Sequence, residues 1–194
     1  MTAIAQLARA GAKIGRIPQL SLPPVQSCPG ASDWCKARCY AKRPYRQYAQ
    51  TRARWDENYA AVQTGEPLPD LPAGTTEFRF HVSGDFFSAP YIRQWIAFVD
   101  RYPNVRFWGY TKSYRVSRLV RALTALRDRP NVQLFASVDE SMPEPPAGWR
   151  VAYIAPDPRF TGIACPEQAG KVPECASCGF CFRRGTRNVA FTEH

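Results

Sequence analysis

The sequence is poor in histidine and methionine, with two of each in 194 residues, and this scarcity excludes more than any abundance does. Two histidines do not make a Ser-His-Asp or Cys-His catalytic arrangement that can be argued from the chain. No glycine-rich phosphate loop is present either. No apolar run approaches the roughly 18 residues that span a bilayer. The N-terminus lacks the apolar core of a secretory signal, so the expected setting is cytoplasmic and without membrane association. Acidic residues are few, 16 against 26 lysines and arginines, and the net charge of +10 calls for an anionic partner or an anionic cofactor.

Cysteine is what the chain has instead. Seven of them do not close into disulfides, and a reducing compartment would not keep such bonds. They fall in two groups: Cys28, Cys35 and Cys39 in SCPGASDWCKARCYA, and Cys165, Cys175, Cys178 and Cys181 in CPEQAGKVPECASCGFC. The two-residue gaps between Cys175, Cys178 and Cys181 let neighbouring thiolates converge on one inorganic core. The same run opens ferredoxin motifs, with Cys165 as the fourth ligand. Structural zinc prefers paired knuckles, so a triplet with a distant fourth favours a [4Fe–4S] cluster, with zinc as the alternative. The N-terminal trio fits a second cluster with one iron left to another ligand. Asp85 is the first candidate for that position, with His81 and His194 behind it. The two groups hold one cluster between them or two.

The predicted fold is α/β, over residues 1–194 as one domain. A short helix is expected before the proline-dense stretch at 17–25, a longer one over 34–61, and a loop over 65–74. Strands are expected at 78–82, 105–109, 132–136 and 151–155, and a late strand at 188–192. Helices with apolar spacing i, i+3, i+4, i+7 are expected at about 90–102, capped by Ser88, and 114–127. Strand and helix recur every 27 residues, placing Phe80, Phe107 and Leu134 in one register, and likewise Asp85, Lys112 and Asp139. Units of this length imply parallel strands with crossover helices. A small or incomplete (β/α) barrel is expected, with an open doubly wound sheet as second choice.

Strand parity divides the sheet into an apolar face and a polar, aromatic one. Phe78, Phe80, Val82, Val105, Phe107, Val132, Leu134, Val151 and Tyr153 should meet the helices. The other face carries Arg79, Arg106, Trp108, Gln133 and Phe135. On it His81, Ser83, Tyr110, Lys112, Ser137 and Asp139 are expected to line a cavity. Arg38, Lys42, Arg43 and Arg46, interleaved with Tyr40, Tyr45 and Tyr48, have the composition of a nucleic-acid surface. Cations also stabilise an anionic cluster, so the second basic patch (Arg183, Arg184, Arg187) admits both readings.

SCPGAS, WCKARCYA, FRFHVSGDFFS, FWGYTKS, the segment at Asp139, the block from Cys165 to Cys181 and a terminal FTEH resemble, in that order, the gene product 88 family of actinobacteriophages and related genomes. The chain is more distantly similar to radical S-adenosylmethionine enzymes, partial barrels with three N-terminal cysteines. Here the spacing is C-x6-C-x3-C, Tyr40 follows the last cysteine, and Ser83-Gly84-Asp85 stands where a Gly-Gly-Glu-like turn would be. That likeness implies S-adenosylmethionine at an open iron; Asp85 on that iron would close it. The function expected is thus [4Fe–4S] binding in a redox or sensing role, with an electron-transfer partner. The alternatives are a zinc-stapled nucleic-acid-binding protein and a radical enzyme.

Overall fold

A computed structural model describes residues 5–9 and 13–193. Its strands are β1 (Ala8–Arg9), β2 (Pro18–Gln19), β3 (Glu77–Arg79), β4 (Arg106–Thr111), β5 (Val132–Val138), β6 (Arg150–Ala155), β7 (Gly162–Ala164) and β8 (Asn188–Thr192). They form one sheet in the order β1-β2-β3-β4-β5-β6-β8-β7. The β1–β2 pair is antiparallel and every other pair is parallel. The sheet is open, with β1 and β7 at its edges, so the closed form of a small barrel is not adopted. Nor is it doubly wound. The longer helices α3 (Ala49–Gln63), α4 (Ala89–Arg101) and α5 (Ser117–Arg127) all contribute to one core cluster with the apolar face of β3, β4 and β5.

That core follows from the periodicities. Ile92, Trp95 and Val99 of α4 and Leu119, Leu123 and Leu126 of α5 recur on one stripe of each helix, and all are buried against Phe78, Phe80, Phe107, Val132 and Leu134. Ser88 caps α4, its hydroxyl accepting the Tyr91 N–H at 3.3 Å, with proline in the first turn. Gly109 lies level with Leu134 on β5, and a β-carbon there would stand 3.1 Å from the Phe80 side chain. Its absence lets the aromatic ring lie across β4.

Several details differ from expectation. The 34–61 helix is three: α1 (Asp33–Ala37), α2 (Lys42–Gln47) and α3, broken where Tyr48 takes an extended conformation. No helix precedes β2 among the described residues. The register is not an even 27: Phe78 pairs with Phe107, and Phe107 with Val132, so the intervals are 29 and 25. Both intervals differ from 27 by two residues, so the parity of the faces survives. Val82 leaves the apolar face, because β3 ends at Arg79 and the chain turns; it packs beside Ile14, Ile17, Trp108 and Phe182.

A cavity lined by seven thiols

The polar face of the sheet floors a cavity of about 510 Å³, within the range of small-molecule sites. Trp108 and Tyr110 from β4, Ser137 from β5, Ala152 and Ile154 from β6 and Val189 and Phe191 from β8 form the floor. All seven cysteines line it: Cys28, Cys35, Cys39, Cys165, Cys175, Cys178 and Cys181. Segments separated by more than a hundred residues of sequence therefore meet on one face. None of the seven is in a disulfide.

The N-terminal trio is held by a loop docked on the ends of β4 and β5. Val25 has φ 68, a left-handed conformation rare for a β-branched residue, and the Gln26 N–H donates to the Pro24 carbonyl at 2.8 Å. The Ser27 hydroxyl donates to the Pro23 carbonyl at 2.6 Å and fixes that turn. Gly30 then lies so close to β4 that a β-carbon would overlap the Lys112 carbonyl oxygen. Arg115 donates to the Gly30 carbonyl at 2.9 Å and Trp34 to Glu140 at 2.9 Å. Ser32 caps α1 by accepting the Cys35 N–H at 3.0 Å.

The C-terminal group is built on a different support. Cys165 donates its N–H to the Ala190 carbonyl at 2.8 Å, and Cys175 to that of Lys13 at 2.9 Å. The short helix α6 (Cys175–Cys178) closes at Gly179, whose φ of 68 is the usual helix-ending conformation. Lys13 pairs with Glu167 at 2.8 Å and holds the 13–16 turn over this group. The Tyr110 hydroxyl is hydrogen-bonded to the Cys181 thiol.

Electrostatics separate the two groups. Cys28 and Cys35 feel Cys39 and Asp85, whereas Cys181 and Cys175 feel Cys165. Burial pushes the Cys28 thiol up to about 12 and Cys181 up to about 11, with the Tyr110 hydrogen bond pulling Cys181 back. Burial also raises Cys35 and Cys175, against the opposing charges of Lys112 and of Arg79 and Lys13 respectively. Binding a metal here would release protons. Among the described residues no three His, Cys, Asp or Glu side chains form a group that could hold a metal ion.

Asp85 is placed otherwise than expected. It lines the cavity, but Oδ1 accepts from the Phe86 N–H (2.7 Å) and Thr111 (2.6 Å), and Oδ2 from the Lys112 N–H (2.8 Å) and the Ser113 N–H (3.2 Å). Four donors occupy the four lone-pair sites of the carboxylate, leaving none for iron. Burial still raises its carboxyl above the ordinary value. His81 is 5% exposed, with Nε2 2.9 Å from the Tyr91 hydroxyl, and burial beside Arg79 lowers its pKa to about 3. His194 lies outside the described residues.

Of the other residues expected on the wall, His81, Ser83, Tyr110, Lys112 and Ser137 line the cavity. Asp139 does not; it is fully buried beneath it, where Lys112 reaches it at 3.2 Å. Lys13, Arg79 and Glu167 line it as well, none of them singled out by motif. The basic surface is outside the cavity: Arg38 pairs with Glu193 at 2.9 Å, Lys42 donates to the Lys36 carbonyl, and Arg43 and Arg46 are on α2.

The comparisons with known proteins agree with the family resemblance. The family model for gene product 88 matches residues 2–184. The chain belongs to the gene product 88 family. It is 26% identical to the Gene 88 protein of Mycobacterium phage L5 over 93% of this chain and 89% of that protein. It is 25% identical to the Gene 88 protein of Mycobacterium phage D29 over the same shares. No solved structure matches it. No helix among the described residues is long and apolar enough to cross a membrane.

Proposed function

We propose that this gene product 88 protein holds one or two [4Fe–4S] clusters in the seven-thiol cavity of an incomplete (β/α) barrel, in a redox or sensing role. The observation that carries the reading is that every cysteine of the chain lines one cavity. Cys165, Cys175, Cys178 and Cys181 would hold one cluster, and Cys28, Cys35 and Cys39 a second. A structural zinc ion gathers four donors about 2.3 Å from a single point. Cys175, Cys178 and Cys181 at two-residue gaps, with Cys165 as a distant fourth, favour an extended core over one ion.

When bound, a cluster supplies one-electron exchange with a partner. The chain's own residues supply the setting. Lys112 sets positive charge beside Cys35, Lys13 beside Cys175, and Arg150 beside Cys181, offsetting the negative charge of thiolates. Tyr110 donates a hydrogen bond toward Cys181, and Trp108, Phe182 and Phe191 add aromatic surface to the lining.

A second reading, a radical S-adenosylmethionine enzyme, is favoured by Asp85. With its carboxylate saturated, the N-terminal trio has no fourth protein ligand from that residue. Binding of S-adenosylmethionine to iron-loaded protein tests this reading, and no saturable binding rejects it.

The first reading is tested by iron and acid-labile sulfide stoichiometry on anaerobically purified protein. About four of each per chain means one cluster and about eight means two. Zinc without sulfide overturns it. Cys178→Ser should remove the C-terminal share, and unchanged iron in that variant would reject the assignment of that group.

A further inference from the structure

The charged side chains that line the cavity nearly all have partners. Lys13 is paired with Glu167 and Lys112 with Asp139, and Asp85 is satisfied by four donors. Arg79 is the exception. Among the described residues it is in no ion pair, and its buried Nε has no hydrogen-bond partner. Its guanidinium lies 5.5 Å from the centre of the Tyr110 ring, an interaction with no counter-charge.

Two further cavity-lining side chains on the same run of chain share this condition. His81 Nδ1 and Ser83 Oγ are buried without a partner. In the tautomer where the Tyr91 hydroxyl donates to Nε2, the neutral His81 ring carries its proton on Nδ1. Arg79, His81 and Ser83 then present three buried donors and no counter-charge. Buried donors left unpaired are costly and rare, and a cation without a counter-ion is costlier still. The walls beside them, Trp108, Phe182 and Phe191, are aromatic.

We propose that Arg79, His81 and Ser83 form a binding site for a small oxyanion, a carboxylate or phosphate carried on an apolar or aromatic body, between the two thiol groups of the cavity. A guanidinium takes either oxyanion through two parallel hydrogen bonds. The imidazole and hydroxyl complete its coordination, and the aromatic walls take the apolar body. The site accepts its ligand whether or not iron is present, so it goes beyond the cluster reading.

The experiment is calorimetric titration of the protein as purified with benzoate and, separately, with phenyl phosphate, which decide between the two oxyanions. Saturable binding of one of them in the millimolar range or tighter is expected. Arg79→Gln should weaken it at least about tenfold, and Ser83→Ala by a smaller factor, with iron content unchanged. Arg43→Gln, on the outer surface, should leave it as it was. Absence of saturable binding by either probe overturns the proposal, as does equal affinity in Arg79→Gln. Loss of iron together with binding in Arg79→Gln also overturns it, because Arg79 is then the counter-charge of the thiols. Iron that never loads into the wild-type protein while benzoate or phenyl phosphate still binds would sink the cluster reading and keep this one.

Discussion

The Ser32 hydroxyl donates to Asp139 Oδ2 at 2.7 Å across 107 residues of sequence, while accepting the Cys35 N–H at 3.0 Å. The helix that carries Cys35 is thereby tied to the loop after β5. The Asp139 carboxylate also takes Lys112 at 3.2 Å and Ser141 at 2.6 Å, and is fully buried.

Removing that carboxylate strands a lysine that is itself nearly buried. Asp139→Ala should cost on the order of 3–5 kcal/mol, the scale of breaking a buried ion pair by deleting one partner. Ser32→Ala removes a helix cap, worth about 1 kcal/mol. The two groups share one hydrogen bond, so the double variant should fall short of the sum by about 0.5 kcal/mol or more. Urea denaturation of the four proteins measures this; strict additivity would mean that the pair is not coupled.

Acid should weaken the support of the same loop. Arg159 holds Asp157 through hydrogen bonds of 2.9 and 2.6 Å and donates to the Asp139 and Met142 carbonyls. The Arg159 hydrogen bond depresses the Asp157 carboxyl below its ordinary 3.8, against a smaller opposing effect of burial. Its contribution to stability is therefore full above about pH 4 and is lost as pH falls through the depressed value. Asp85, raised by burial, runs the other way and loses its contribution as pH rises through its own value. Asp157→Asn should flatten the acid limb of a plot of melting temperature against pH. An unchanged limb would place the acid-sensitive group elsewhere.

Gly30 isolates one thiol group from the fold. A methyl group there would overlap the Lys112 carbonyl, so Gly30→Ala should lift the Cys28–Cys39 loop off the sheet while the α4–α5 core stays intact. Circular dichroism should be near wild type and iron content should fall toward the share of the C-terminal group. Full iron in a folded Gly30→Ala protein would show that this loop is not needed for loading.

How much of this was legible in the chain depends on range. The faces were, because alternation has period two and burial of Phe78, Phe80, Phe107, Val132 and Leu134 follows it. The even interval was not: 29 and 25 average to 27, and the two-residue offset at β4 depends on strand pairing that a repeat in the sequence does not specify. The strands β1, β2 and β7 are two or three residues long, too short for any periodicity. The cysteine groups were visible, yet their meeting in one cavity depends on the sheet between them. Asp85 read as a ligand because its four donors, three of them backbone N–H groups, leave no mark in sequence. Arg79 stood in the alternation without distinction, since only its lack of a counter-ion sets it apart.

The basic surface supports one more prediction. On α2, Arg43 and Arg46 are in no ion pair among the described residues, and neighbouring Tyr48 is 59% exposed. Arginines beside an exposed ring suit a nucleic acid, through phosphate pairing and base stacking. The cavity and its thiols would be spared by charge reversal there. Arg43→Glu with Arg46→Glu should therefore abolish retention on single-stranded DNA or RNA at low salt while leaving iron content unchanged. The wild-type protein should release steeply as salt rises, because each phosphate it neutralises sets free condensed counterions, and added salt opposes that release. Retention that survives both substitutions would remove α2 from any nucleic-acid surface. Iron lost from the double variant would mean instead that these arginines support the thiol groups through the chain that joins Cys39 to α2.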